Sequence, residues 1–173
     1  MNFKLSVVAA GLAAALMLSA TGSASAAFVP RGAVELCRQS PDVCRGGGAS
    51  TVQHSDALVS LLKSVNRQVN GSIRFVAERA GQDNWQVGPS RGDCEDFALT
   101  KRQALIKAGV PASSLRIMVT QNRRGMPHAV LVVKTSGGDY VLDNEHQQVV
   151  TIAQGHYRVV SITKGDLTRW SRG

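Results

Sequence analysis

A thiol, an imidazole and a carboxylate stand in this chain at positions where acyl-transfer chemistry becomes available. Cys94 follows Gly92-Asp93 and precedes Glu95-Asp96-Phe97-Ala98. Gly92 lets the chain turn sharply, Asp93 is a helix cap, and Glu95 and Asp96 suit the positive end of a helix dipole. The sulfur thus falls in the first turn of a helix, where free N–H groups stabilise a thiolate and make cysteine a nucleophile. Such a nucleophile needs a base and the base needs an orienting group. His128 opens an apolar strand over 129–134, and Asp143 ends the following strand over 140–142. Cysteine on a helix, histidine on a strand and aspartate on the next strand is a recurring hydrolase order. His54, His146 and His156 lack comparable placement. For the developing oxyanion, the Cys94 backbone N–H is the first candidate donor, followed by the Trp85 indole or the Gln86 amide.

Strand register tests this grouping. His128, Val130, Val132, Val141 and Asp143 share one face if the two strands pair antiparallel with an odd residue sum. A turn on Gly137-Gly138 would set Asp143 opposite Val132, about 13 Å along the strand from His128, too far for contact. A turn on Thr135-Ser136 makes His128 and Asp143 direct partners, and one on Ser136-Gly137 makes them diagonal neighbours. One of these two registers is expected.

The elements that must hold these residues are legible from periodicity. Ser55 caps a helix whose Leu58, Leu61, Leu62, Val65 and Val69 form one apolar stripe. A second helix runs from Cys94 to Gly109 and Pro111, where glycine stops it. Beyond it, β-branched and aromatic runs over 115–120, 129–134, 140–142, 149–152 and 157–162 read as strands. Turn clusters between them favour an antiparallel sheet with the preceding helices on one face, an α+β fold.

Residues 1–26 have the form of a secretory signal: Lys4, an apolar run through Leu18, and Ala24-Ser25-Ala26 as the cleavage site. The run is too short to span a bilayer, and no later segment resembles a transmembrane helix. Residues 27–50 read as a disulfide loop with a Gly-rich connection and 51–173 as one domain; the 43% hydrophobic content of the whole chain is ordinary and suffices for a core. The compartment is then periplasmic or secreted. The formal charge is +8, and loss of Lys4 leaves 19 basic against 12 acidic side chains. No basic stripe with interleaved aromatics accompanies that charge, so nucleic acid is not an expected partner. Three cysteines leave one unpaired. Cys37 and Cys44 bracket a short polar loop with a Pro-Asp turn and are the expected disulfide, with Cys94 free.

Taken together, Trp85, the Gly92-Asp93-Cys94-Glu95-Asp96-Phe97-Ala98 block with Lys101, His128-Ala129-Val130-Leu131 and Tyr140-Val141-Leu142-Asp143-Asn144 resemble the bacterial transglutaminase-like cysteine proteinases. The resemblance implies a papain-like core and a Cys94–His128–Asp143 triad that cleaves a protein substrate of the cell envelope through a thioester. It also implies an inhibitory membrane receptor as a partner and calcium as a cofactor, for which Asp93 and Glu95 are the expected ligands. The acidic cluster makes that metal physically reasonable, because unpaired carboxylates beside Cys94 oppose the thiolate. The same triad would serve a transglutaminase or a peptidoglycan amidase or endopeptidase. A non-catalytic periplasmic binding module is the reading outside enzymology.

Overall fold

The computed structural model describes residues 26–173; the expected signal segment lies, but for Ala26, outside them. Five helices and a six-stranded antiparallel sheet make up the domain, an α+β architecture as expected. Helix α1 (Arg31–Gln39) and the short α2 (Pro41–Cys44) come first. The segment read as a disulfide loop is therefore largely helical, with Ser40-Pro41 breaking it into two and the Cys37–Cys44 disulfide joining them. Arg102, 1% exposed, donates to the carbonyls of Val43 and Arg45 at 2.6 and 2.9 Å. This guanidinium satisfies carbonyls at the end of α2 and ties the disulfide segment to the domain.

Helix α3 (Asp56–Ser72) starts where Ser55 accepts from the Leu58 N–H at 3.1 Å. Its buried stripe holds Leu62, Val65 and Val69, and also Asn66. A short parallel pair, β1 (Arg74–Phe75) with β2 (Arg91–Gly92), brackets the loop containing Trp85. Helix α4 (Cys94–Lys107) follows at once, and Gly109, at φ +89°, supplies the left-handed turn that ends it.

Strands β3 (Leu115–Gln121), β4 (Pro127–Thr135), β5 (Gly138–Leu142), β6 (Val150–Thr151), β7 (Ser161–Thr163) and β8 (Trp170–Arg172) form the sheet. Their order across it is β6-β5-β4-β3-β7-β8. Residues 157–160, expected in a strand, instead follow a one-turn helix α5 (Ile152–Gly155) and enter β7 only at Ser161. The Thr151 capping box with Gln154 starts that turn, and local capping outweighs the β-branched composition.

Alternation along the strands divides the interior in two. Leu115, Ile117, Leu131, Val133 and Leu142 pack under α3 and α4 against Leu62, Val65, Phe97 and Leu105. Met118, Val130, Val132 and Val141 face the other way and are covered by Ile152, Tyr157, Val159 and Ile162. Among the described residues, no helix is long and apolar enough to cross a membrane.

Candidate active site

Strands β4 and β5 pair with Val132 opposite Val141 and Thr135 opposite Gly138, so the turn is Ser136-Gly137. This is the second of the two expected registers. It makes His128 and Asp143 diagonal neighbours on the face that carries Val130, Val132 and Val141. Their side chains meet, His128 Nε2 to Asp143 Oδ1 at 2.8 Å, with 5% and 2% of the two residues exposed. An ionised carboxylate is acceptor-only, so the ring donates from Nε2 and leaves Nδ1 as the basic nitrogen.

Asp143 is unusually well held. Oδ1 also accepts the Glu145 N–H at 2.8 Å, and Oδ2 accepts the Tyr157 hydroxyl at 2.8 Å. Burial alone would raise its pKa, but the His128 contact and these two donors outweigh it and hold the carboxyl at about 2. The loop after it is anchored from α3. Asn70 donates to the carbonyls of Asp143 and His146, and Asn66 to those of His146 and Gln147. Lys101 of α4 lies behind, fully buried, its ammonium without a hydrogen-bond partner and 5.9 Å from the Phe97 ring centroid. Burial drives its pKa down to about 7, opposed by the negative charge of Asp143.

Cys94 is the first residue of α4 and is partly exposed and unpaired, while Cys37 and Cys44 are joined. The start of α4 packs against β4, near enough for the Ala129 N–H, one residue beyond His128, to favour the thiolate. The thiol itself donates to Glu95 Oε2 at 3.2 Å. Burial pushes the thiol pKa well above its ordinary value, as do the Glu95 and Asp93 carboxylates, while the Ala129 N–H opposes them.

Those carboxylates form a cluster. Ligand oxygens of Glu78, Asp93 and Glu95 lie within 4.8 Å of one another. Burial and then Asp93 raise Glu95 to about 8, and burial likewise raises Asp93. Asp93 Oδ1 is buried without a hydrogen-bond partner. Three converging hard oxygens with an unsatisfied acceptor could hold a cation and would fill part of the six- to eight-oxygen shell of calcium. Glu78 escaped the sequence reading because it lies fifteen residues before Asp93 and joins it only when the 76–90 loop folds back.

Asp96 takes no part in that set. It accepts the Gln86 N–H at 2.7 Å and the Asp93 N–H at 3.3 Å, fastening the Trp85 loop to the helix start. Only glycine fits at position 92, because a Cβ there would lie 2.1 Å from Asp96 Oδ2. Trp85 is buried, its indole N–H already donates to Asp83 Oδ1 at 2.8 Å, and its ring meets Trp170 edge-on. Gln86 is exposed beside it.

A cleft of about 660 Å³ opens on His128 and Asp143 and is walled by Gln121, Asn122, His146, Gln154, His156 and Tyr157. His146 and His156, unremarkable by spacing, thus stand in the same cleft as His128. His54 instead stacks on Tyr140 at the surface. Asn66 and Asn70 were legible in principle, as two amides one turn apart on the inner side of an apolar stripe. Tyr157 carried no such signal.

The family model for the bacterial transglutaminase-like cysteine proteinase BTLCP matches residues 23–172. Among solved structures, calcium-bound LapG of Legionella pneumophila superposes with a TM-score of 0.56 at 22% identity, covering 70% of this chain and 74% of its own. Another structure of Legionella pneumophila LapG gives 0.54 at 24% identity, over 62% and 65% of the two chains. An EGTA-treated form gives 0.53 at 23%, over 64% of each. A search of curated protein sequences finds no significant match.

Proposed function

The chain belongs to the bacterial transglutaminase-like cysteine proteinases and is a cysteine peptidase, acting on protein, and from that premise we propose that it is an exported enzyme cleaving a peptide bond through Cys94, His128 and Asp143. The observation that carries this reading is the buried 2.8 Å contact between His128 Nε2 and Asp143 Oδ1, which leaves Nδ1 to act as base. The Cys94 sulfur attacks the scissile carbonyl carbon as its proton passes to His128. The oxyanion is met by the Cys94 backbone N–H and the exposed Gln86 side-chain amide. His128 returns the proton to the departing amine, leaving a thioester on Cys94. Water, deprotonated by the same ring, attacks the thioester and releases the carboxylic acid and the free thiol.

Glu78, Asp93 and Glu95 are the residues that would hold calcium, consistent with the calcium-bound form of LapG. Bound there, the ion supplies positive charge that offsets the carboxylates opposing the Cys94 thiolate. Residues 1–26 direct export and are removed, residues 27–50 form the disulfide segment, and 51–173 form the catalytic domain. The site of action is the periplasm or the medium, the substrate is a protein of the cell envelope, and an inhibitory membrane receptor is the regulatory partner.

The test is a map of new protein N-termini in cells producing the wild-type chain or the Cys94→Ala variant at equal level. Cleavages present with the first and absent with the second support the reading. Identical maps refute it.

A further inference from the structure

The geometry points to Tyr157 as the positioning residue of the His128–Asp143 pair, set in place by a glycine at 155 that no other residue can replace without displacing it. The inference rests on the proposed role of that pair and extends it to a residue outside the three.

Asp143 has two carboxylate oxygens, and they are used unequally. Oδ1 takes both the His128 ring and the Glu145 N–H, while Oδ2 has the Tyr157 hydroxyl. With Oδ2 free, the buried group would keep an unsatisfied charged oxygen and could relieve it by turning about Cβ–Cγ, which would swing Oδ1 away from the ring. The Tyr157 donor removes that option. It fixes the carboxylate plane, hence the orientation of His128 and the nitrogen that remains basic.

The segment carrying Tyr157 is built for this contact. Thr151 and Gln154 cap α5 reciprocally. The helix ends after one turn at His156, which takes φ +54°, a left-handed conformation rare for a residue other than glycine. That turn brings the Tyr157 ring across Gly155 so closely that a Cβ at 155 would lie 2.3 Å from Cε2 and 2.7 Å from Cδ2. The ring also covers the Met118–Val130–Val132–Val141 cluster. Packing therefore aims the ring, and the hydroxyl receives its direction from it.

Tyr157→Phe keeps the ring and removes the donor, and Gly155→Ala keeps the donor and displaces the ring. Tyr140 is the other tyrosine of the chain; its hydroxyl contacts His54 at the surface, so Tyr140→Phe serves as control. Two readouts require no known substrate, both taken in excess calcium chloride. One is the downfield proton NMR signal of the His128 Nε2–H, which reports its bond to Asp143. The other is the rate of Cys94 alkylation by iodoacetamide at pH 7.

Tyr157→Phe and Gly155→Ala should each shift or broaden the His128 signal and slow alkylation about tenfold, the size of one lost charge-assisted hydrogen bond. The double variant should be no slower than Tyr157→Phe alone, because both changes act through one hydroxyl. Tyr140→Phe should change neither readout. An unmoved His128 signal in folded Tyr157→Phe protein overturns the inference, as does additivity of the two substitutions. Alkylation indifferent to His128→Ala would count against the proposed triad instead, and the NMR signal would still decide the role of Tyr157.

Discussion

Replacing Lys101 by Met should make the protein more stable and less active. The ammonium is fully buried, has no hydrogen-bond partner, and its pKa falls from an ordinary 10.5 to about 7. At about 1.4 kcal/mol per pH unit, that fall corresponds to a folding cost of roughly 5 kcal/mol below pH 7, an order-of-magnitude figure. Between pH 7 and 10.5 the unfolded chain holds a proton that the folded chain has released, so stability attributable to Lys101 rises with pH across that window. It is lost again as pH falls towards 7. Met fills similar volume without charge. The gain of Lys101→Met over wild type, by urea denaturation, should therefore be several kcal/mol at pH 6 and about 3 kcal/mol smaller at pH 9. Activity should fall because a positive charge facing Asp143 is gone, a stability–activity exchange common at functional sites. A Met variant that is less stable than wild type at pH 6, with a difference that does not change up to pH 9, would refute the account.

The remaining predictions concern the scaffold. Converting Cys37 and Cys44 together to Ser should lower the unfolding free energy by about 2–3 kcal/mol, the entropy of so short a loop, in calorimetric melts under otherwise equal conditions. Gly92→Ala should cut both thermal stability and peptidase activity, since the new methyl collides with Asp96 and frees the Gln86 loop; a variant melting within a degree of wild type would contradict this. Removing calcium with EGTA should lower the melting temperature and the Cys94 alkylation rate together, and added calcium should restore both. Isothermal titration should register binding that Glu78→Gln weakens about tenfold or more, an estimate from the loss of one charged ligand.

How much of this was legible from the sequence depends on how local each determinant is. The α4 start was readable because Gly92, the Asp93 cap and the acidic first turn all act within five residues. The β4–β5 register was narrowed to two choices by side-chain parity together with the reach required between His128 and Asp143, and hairpin closure at Ser136-Gly137 selects between them. The 27–50 segment was misread as loop because Gly, Pro and polar residues dominate it, while the helix-stabilising partner, Arg102, lies about sixty residues downstream. Residues 157–160 were misread as strand because their β-branched composition is genuine, but their role is to cover the sheet from outside. Glu78 and Tyr157 were invisible for a common reason: each acts on a residue ten or more positions away through a contact that only loop closure creates.

The electrostatics of the site follow from where these contacts converge. Asp143 receives three donors and stays ionised, whereas Asp93 and Glu95, of the same chemistry and on the same molecule, are driven towards protonation by burial, with Glu78 adding to it at Asp93 and Asp93 adding to it at Glu95. The difference is one of partners, because both settings are low in water and only one supplies enough hydrogen bonds to the charged form. Cys94 sits between the two regimes. On one side the Ala129 N–H and the helix start favour its thiolate; on the other, Glu95 accepts its proton in a 3.2 Å contact and disfavours it. Whatever neutralises Glu78, Asp93 and Glu95 therefore releases the thiol from Glu95 and shifts it towards the base side of the site.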